Sequence, residues 1–168
     1  MQTLKKELAD LSRYALSYNE IEKCIKGKVP GLLVKFEEST TAKWNKNIWG
    51  KANVIIVLLE LMGSNHWVCC SQKFFYDSLA YSKQFYRKKF PDFYAFVKDM
   101  NLEWNTFQHQ PKIEDSATCG DHVLCRCIHY KYTNKEFHKW MTSLGIKTDK
   151  VASLICYLAT RKLDIPVL

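Results

Sequence analysis

The hexapeptide Val54-Ile55-Ile56-Val57-Leu58-Leu59 constrains this chain more than any other stretch. It is short, continuous and rich in β-branched residues, so it predicts a strand buried on both faces, at the centre of a sheet. Gly63-Ser64-Asn65 marks a turn after it. His66-Trp67-Val68-Cys69-Cys70 and Phe74-Phe75-Tyr76-Asp77 then read as two further strands joined through Ser71-Gln72. A hairpin centred on that pair opposes Cys70 to Lys73, Val68 to Phe75 and His66 to Asp77. Directly opposed residues share a face and have β-carbons ~4.5–5.5 Å apart, which puts the imidazole within reach of the carboxylate. A slip of one residue would separate them.

Around this hairpin the pattern is mainly helical. Leu4, Leu8, Leu11 and Ala15 fall on one helical face, and Ser17-Tyr18-Asn19-Glu20 has capping-box spacing for a second short helix that Gly27 closes. Pro30-Gly31 marks a turn, and residues 31–47, with Lys35-Phe36-Glu37-Glu38 at their centre, predict a loop with at most a short helix. Residues 82–100 are helical in composition but interrupted at Pro91, giving two short helices. The first of these carries the densest basic cluster, Lys83, Arg87, Lys88 and Lys89, able to face nucleic acid or simply water. Residues 102–110 alternate apolar and polar and predict a strand with Gln108 and Gln110 on one face and His109 on the other. Phe137, Trp140 and Met141 mark a helix ended by Gly145. Val151, Leu154, Ile155 and Leu158 mark another before Pro166, and both read as packing. In 168 residues this amounts to one α+β domain spanning the chain, a mixed sheet flanked by helices.

The chemistry concentrates in Asp115-Ser116-Ala117-Thr118-Cys119-Gly120-Asp121-His122-Val123-Leu124-Cys125-Arg126-Cys127-Ile128, a polar turn running into an apolar-periodic helix. Thr118 or Ser116 can cap that helix, which leaves Cys119 in its first turn. There, unpaired N–H groups and the helix dipole favour a thiolate. In chain order the sequence supplies His66, Asp77, Gln110 and Cys119, the parts of thiol acyl transfer. Cys119 attacks a carbonyl carbon, His66 handles the proton, Asp77 orients the imidazole, and the Gln110 amide with the Cys119 N–H stabilises the oxyanion. Gln108 competes with Gln110 for that role. Trp67 packs behind the histidine or lines a substrate groove, and Gly120 adjoins the nucleophile on the substrate side.

Composition sets outer limits. At 47% hydrophobic and 14% aromatic the chain is not a disordered one, and its longest apolar run, residues 52–62, is too short for a membrane span. Met1 to Leu8 lacks the apolar region of a secretory signal, so the protein is expected to remain inside the cell that makes it. Seven cysteines, an odd number at irregular spacing, then argue for reduced thiols. Cys125, Cys127 and His129, with Cys69-Cys70, match no common zinc spacing, so no metal and no obligatory cofactor is expected. The formal charge of +8 suggests attraction to nucleic acid or an acidic partner, against the alternative of a solvated basic surface.

At Asn65-His66-Trp67-Val68, Phe75-Tyr76-Asp77-Ser78, Asn105-Thr106-Phe107-Gln108-His109-Gln110 and Asp115 to Leu124, the chain resembles the adenain-like cysteine proteases. These are the virion maturation enzymes of adenoviruses and of Maverick/Polinton-type and virophage elements, and they share a fold with the ubiquitin-like-protein proteases. The likeness covers residues 50 to 132. It implies a monomeric protease that cleaves viral capsid and core precursors at a groove accepting small residues before the cut. It further implies work in the virion and at the assembly site of the infected cell, with DNA or a peptide as possible activators. One departure is a spacer between Gln110 and Cys119 longer than the family usually has. Two other readings stand beside it: an isopeptidase or acetyltransferase on the same fold, and a basic nucleic-acid-binding virion protein with a vestigial site.

Overall fold

A computed structural model describes residues 15–111 and 117–161. The helix expected over 4–16, the Ser116 cap and Pro166 lie wholly or largely outside them. In chain order come α1 (Tyr18–Ile25), β1 (Val34–Glu38), a 3-10 turn (Lys46–Trp49), β2 (Val54–Leu61), β3 (Ser64–Ser71), β4 (Phe74–Tyr76), α2 (Lys83–Lys89), α3 (Pro91–Asp99), β5 (Glu103–Trp104), α4 (Cys119–Ile128), α5 (Asn134–Thr142) and α6 (Thr148–Arg161). The strands form one mixed sheet in the order β1-β2-β3-β4-β5. The β2–β3 and β3–β4 pairs are antiparallel, whereas β1 and β5 add in parallel. The fold is α+β.

β2 is buried on both faces, as its composition requires. Val54 and Ile56 meet Cys69, Phe74, Tyr76 and the apolar faces of α1, α4, α5 and α6. Ile55, Val57 and Leu59 face the other way, with Val68 and Phe75, against the 3-10 turn, α2 and α3. The sheet thus lies between two helical layers. Ser17 and Glu20 make the reciprocal capping box of α1, and the breaks at Pro91 and Gly145 fall where expected. Among the described residues no helix is long and apolar enough to cross a membrane.

Three expectations are corrected. Residues 34–38 form an edge strand where a loop was expected. Lys35 bonds Glu37 at 2.8 Å and the Ile48 carbonyl at 3.0 Å, so the charged residues that broke the apolar pattern are satisfied on the sheet's rim. Residues 102–110 keep only Glu103–Trp104 as strand. Beyond it the Asn105 side chain takes over the hydrogen bonding, accepting from Asp77 N at 2.9 Å and donating to Asp77 O at 2.7 Å. The β3–β4 register also differs, with Cys70 opposite Phe75 and Cys69 opposite Tyr76, two residues from the expected alignment. Ser71 Oγ accepts from the backbone of both Lys73 and Phe74, which widens the loop. A shift of two preserves the face of every side chain, so His66 and Asp77 remain on the same side as diagonal neighbours.

α4 is the buried element of its layer: every residue from Cys119 to Cys127 is buried. Even Arg126 is enclosed. Its guanidinium lies 3.5 Å from the centre of the Phe74 ring and donates to the carbonyls of His129 and Tyr132, each at 2.7 Å, which ties down the turn into α5. At the other end a β-carbon on Gly120 would stand 2.9 Å from Leu16 Cβ. Gly120→Ala is therefore expected to lower stability by about 1–3 kcal/mol in urea unfolding, and an unchanged midpoint would show that Leu16 does not hold α4 this closely.

Candidate active site

His66, the third residue of β3, is fully buried and pairs through Nε2 with Asp77 Oδ1 at 2.6 Å. Asp77 sits one residue beyond β4, at the start of a tight loop in which Ala80 adopts a left-handed φ of 51°. Its carboxylate is saturated. Oδ1 also accepts from Leu79 N at 2.9 Å, and Oδ2 from Tyr86 Oη at 2.7 Å and Tyr81 N at 3.1 Å. Asn105 grips the Asp77 backbone from the opposite side.

Burial works against the charged imidazole, but the charge and hydrogen bond of Asp77, helped by Cys119, outweigh it and hold the His66 pKa up at about 9. Burial likewise opposes the Asp77 charge. His66, Tyr86 and the Leu79 N–H overcome that opposition and keep the carboxyl below its usual range. The pair is thus imidazolium and carboxylate at neutral pH.

With Nε2 committed to Asp77, Nδ1 is the nitrogen left to meet the thiol. Cys119, the first residue of α4, is close enough to contribute to the His66 shift. Nδ1 has no partner of standard hydrogen-bond geometry among the described residues. That combination describes a thiol adjoining the ring without a tight bond, as is common in catalytic sites before substrate binds. Thr118 occupies the N-cap position, yet its side chain makes no cap bond; its hydroxyl turns instead to Asp149. By strand alternation His66 belongs to the layer covered by α2 and α3, whereas Cys119 opens a helix of the other layer. The site therefore forms where the two layers meet beyond the end of β4.

Of the two glutamines, Gln110 is buried and Gln108 is exposed. The Gln110 Oε1 accepts from Ser78 Oγ at 2.7 Å, while its backbone N–H donates to Ser78 O at 3.0 Å. These bonds tie it to the residue after Asp77 and fix its Oε1 end as the acceptor. Gln108 instead donates to the Gln110 carbonyl. Trp67 and Gly120 converge on Leu16, the indole donating to its carbonyl at 3.1 Å and the glycine meeting its side chain. That places both against the chain before α1. Lys83, Arg87, Lys88 and Lys89 are all exposed on α2. An open groove of about 810 Å³ between residues 42–46 and α3 includes none of these groups.

Several supporting residues were given no role from the sequence. Tyr86 is one aromatic among many, and Ser78 and Asn105 look like turn residues. His109, between Tyr76 Oη at 2.9 Å and His138 at 2.8 Å, is pushed down to about 3, first by burial and then by neighbouring His122 and His138, so it stays neutral. Asp121, two residues after the nucleophile, is buried. Burial, with Asp149 adding to it, raises its carboxyl well above the usual range against the opposing bonds of Cys156 and Ser153. All seven cysteines are buried as free thiols.

Comparison with family models, curated proteins and solved structures finds no match to this chain.

Two outcomes follow from these ionisations. Because His66 is raised, its stabilising contribution is complete below the unfolded pKa of 6.5 and is lost as pH rises through about 9. Asp77→Asn should remove that alkaline loss in pH-dependent unfolding; an identical alkaline slope in parent and variant would mean that the pair is not charged. Asp121 has the opposite sign. Its raised folded pKa costs stability as pH climbs above ~4, by up to about 1.4 kcal/mol per pH unit, so Asp121→Asn should gain on the parent progressively as pH rises. A constant difference between the two curves would contradict a neutral buried acid.

Proposed function

We propose that this chain is a cysteine endopeptidase of the adenain-like class. The observation that carries the reading is the buried His66–Asp77 pair, its second nitrogen turned toward a cysteine at the first turn of a buried helix. In the reaction the Cys119 thiolate, its proton already given up and its charge paired with the His66 imidazolium, attacks the carbonyl carbon of the scissile amide. The proton held at His66 Nδ1 passes to the departing amine, leaving an acyl-thioester. Water then adds to that carbonyl as His66 takes its proton, and collapse expels the Cys119 thiolate beside the restored imidazolium and releases the acid. Asp77 stabilises the imidazolium at each stage. The Gln110 amide and the Cys119 N–H serve the oxyanion, one such donor being worth about 10²–10³ in turnover.

The substrate assignment rests on the sequence resemblance: viral capsid and core precursors, cut in the virion or at the assembly site. The exposed cations of α2 and the charge of +8 support contact with nucleic acid during that work. Release of ubiquitin-like modifiers by the same groups is the competing enzymatic reading, decided by offering both substrates.

The direct test is iodoacetamide alkylation of each cysteine as a function of pH, read by peptide mass spectrometry in the parent and in His66→Ala. Cys119 should react fast at mildly acidic pH and lose that advantage in the variant. Cleavage of a peptide with glycine before the scissile bond should disappear in Cys119→Ala and fall by about 10²–10⁴-fold in Asp77→Asn. A Cys119 no faster than the six other cysteines, with salt-sensitive DNA binding retained, would instead favour a nucleic-acid-binding protein with a vestigial site.

A further inference from the structure

Gln110 and Cys119 lie nine positions apart, and both ends of the segment between them are held from one place, the first turn of α6. Thr148 Oγ1 donates to the carbonyl of His109, the residue before Gln110, at 2.6 Å. The adjacent Asp149 reaches the other end. Its Oδ1 accepts from Thr118 Oγ1, immediately before Cys119, and bonds His122 Nε2, one turn after it, at 2.9 Å. His109, Gln110, Thr118 and His122 are all buried, and α6 is anchored behind them through Val151, Ala152 and Cys156 in the core beside α4.

We propose that Thr148 and Asp149 are positioning residues that fix the separation between the Gln110 carboxamide and the Cys119 backbone N–H, so that both donors address one oxyanion. The proposal deepens the protease reading and rests on it. A useful oxyanion donor must come within ~2.7–3.1 Å of the developing charge, and a misplacement of about 1 Å costs about 10²-fold in rate. Covalent continuity through a spacer of this length cannot set two donors that closely. A rigid helix bonded to both flanks can. Ser78 fixes the rotation of the Gln110 amide, Thr148 fixes the segment that carries it, and Asp149 fixes the start of α4 on both sides of the nucleophile.

The brace separates oxyanion stabilisation from formation of the thiol–imidazole pair, and the test uses that separation. The full-length parent, Thr148→Val, Thr148→Ser and Asp149→Ala would each be assayed, with and without Gln110→Ala. The probes are the glycyl peptide and p-nitrophenyl acetate, with the Cys119→Ala rate subtracted. Thr148→Val and Asp149→Ala are expected to lower kcat about 10–10²-fold with KM within about threefold. Thr148→Ser should restore kcat, and iodoacetamide alkylation of Cys119 in Thr148→Val should keep the parent's pH profile. In the Gln110→Ala background the same substitutions should cost less than about threefold, because the donor they position is gone.

Equal losses with and without Gln110, or a kcat in Thr148→Val equal to the parent's, would overturn the brace while leaving the protease reading intact. A fall in Cys119 alkylation matching the fall in kcat would overturn it too, by assigning the effect to the thiol. A parent that turns over neither probe refutes the protease reading and this proposal with it.

Discussion

The contact between His66 and Asp77 is the interaction on which the rest of this structure depends. Placing two opposite charges out of water costs several kcal/mol per ion unless every remaining lone pair and proton finds a partner. Here the carboxylate receives four donors drawn from β3, its own loop and α2. The hairpin brings imidazole and carboxylate to one face, Tyr86 requires α2 to pack where it does, and Asn105 leaves the sheet to hold the Asp77 backbone. Removing either charge would strand the other among groups arranged for it. Specificity of position, more than net stability, is what such a pair contributes.

The nucleophile is held by a different logic. Cys119 opens a helix buried on every side from Cys119 to Cys127, so its position is set by packing: Gly120 against Leu16 at one end, Arg126 over Phe74 at the other. Two helical layers, each rigid for its own reasons, meet at the end of the sheet. The geometry there follows from the bonds that hold each part: β3 carries His66 to Asp77, and the first turn of α6 holds the His109 carbonyl and the start of α4.

Local pattern carried much of this. The buried strand at Val54, the hairpin after it, the capping box at Ser17 and the break at Pro91 are all dictated by neighbours within a few residues, and each was readable. The parity of His66 and Asp77 was also readable, because a two-residue shift in register leaves it unchanged, although the loop that produced the shift was not. What escaped depends on distant partners. Lys35 and Glu37 gave β1 the look of a loop because their compensation comes from Ile48 and the sheet edge. Asn105, Tyr86 and Ser78 became informative only once Asp77 and Gln110 had been placed beside them. Thr148 and Asp149, at the start of a helix whose amphipathic pattern reads as packing, carried no signal for the same reason.

The central claim is that His66 is an imidazolium held between Asp77 and the Cys119 sulfur, and nitrogen-detected NMR of the histidine side chains addresses it most directly. In the parent at neutral pH, both ring nitrogens of His66 should carry protons, with the Nε2 proton strongly deshielded by its 2.6 Å bond to Asp77. Its titration midpoint should lie at about 9 and fall in Cys119→Ala. A singly protonated ring that titrates near 6.5, with the same midpoint in both proteins, would contradict the account.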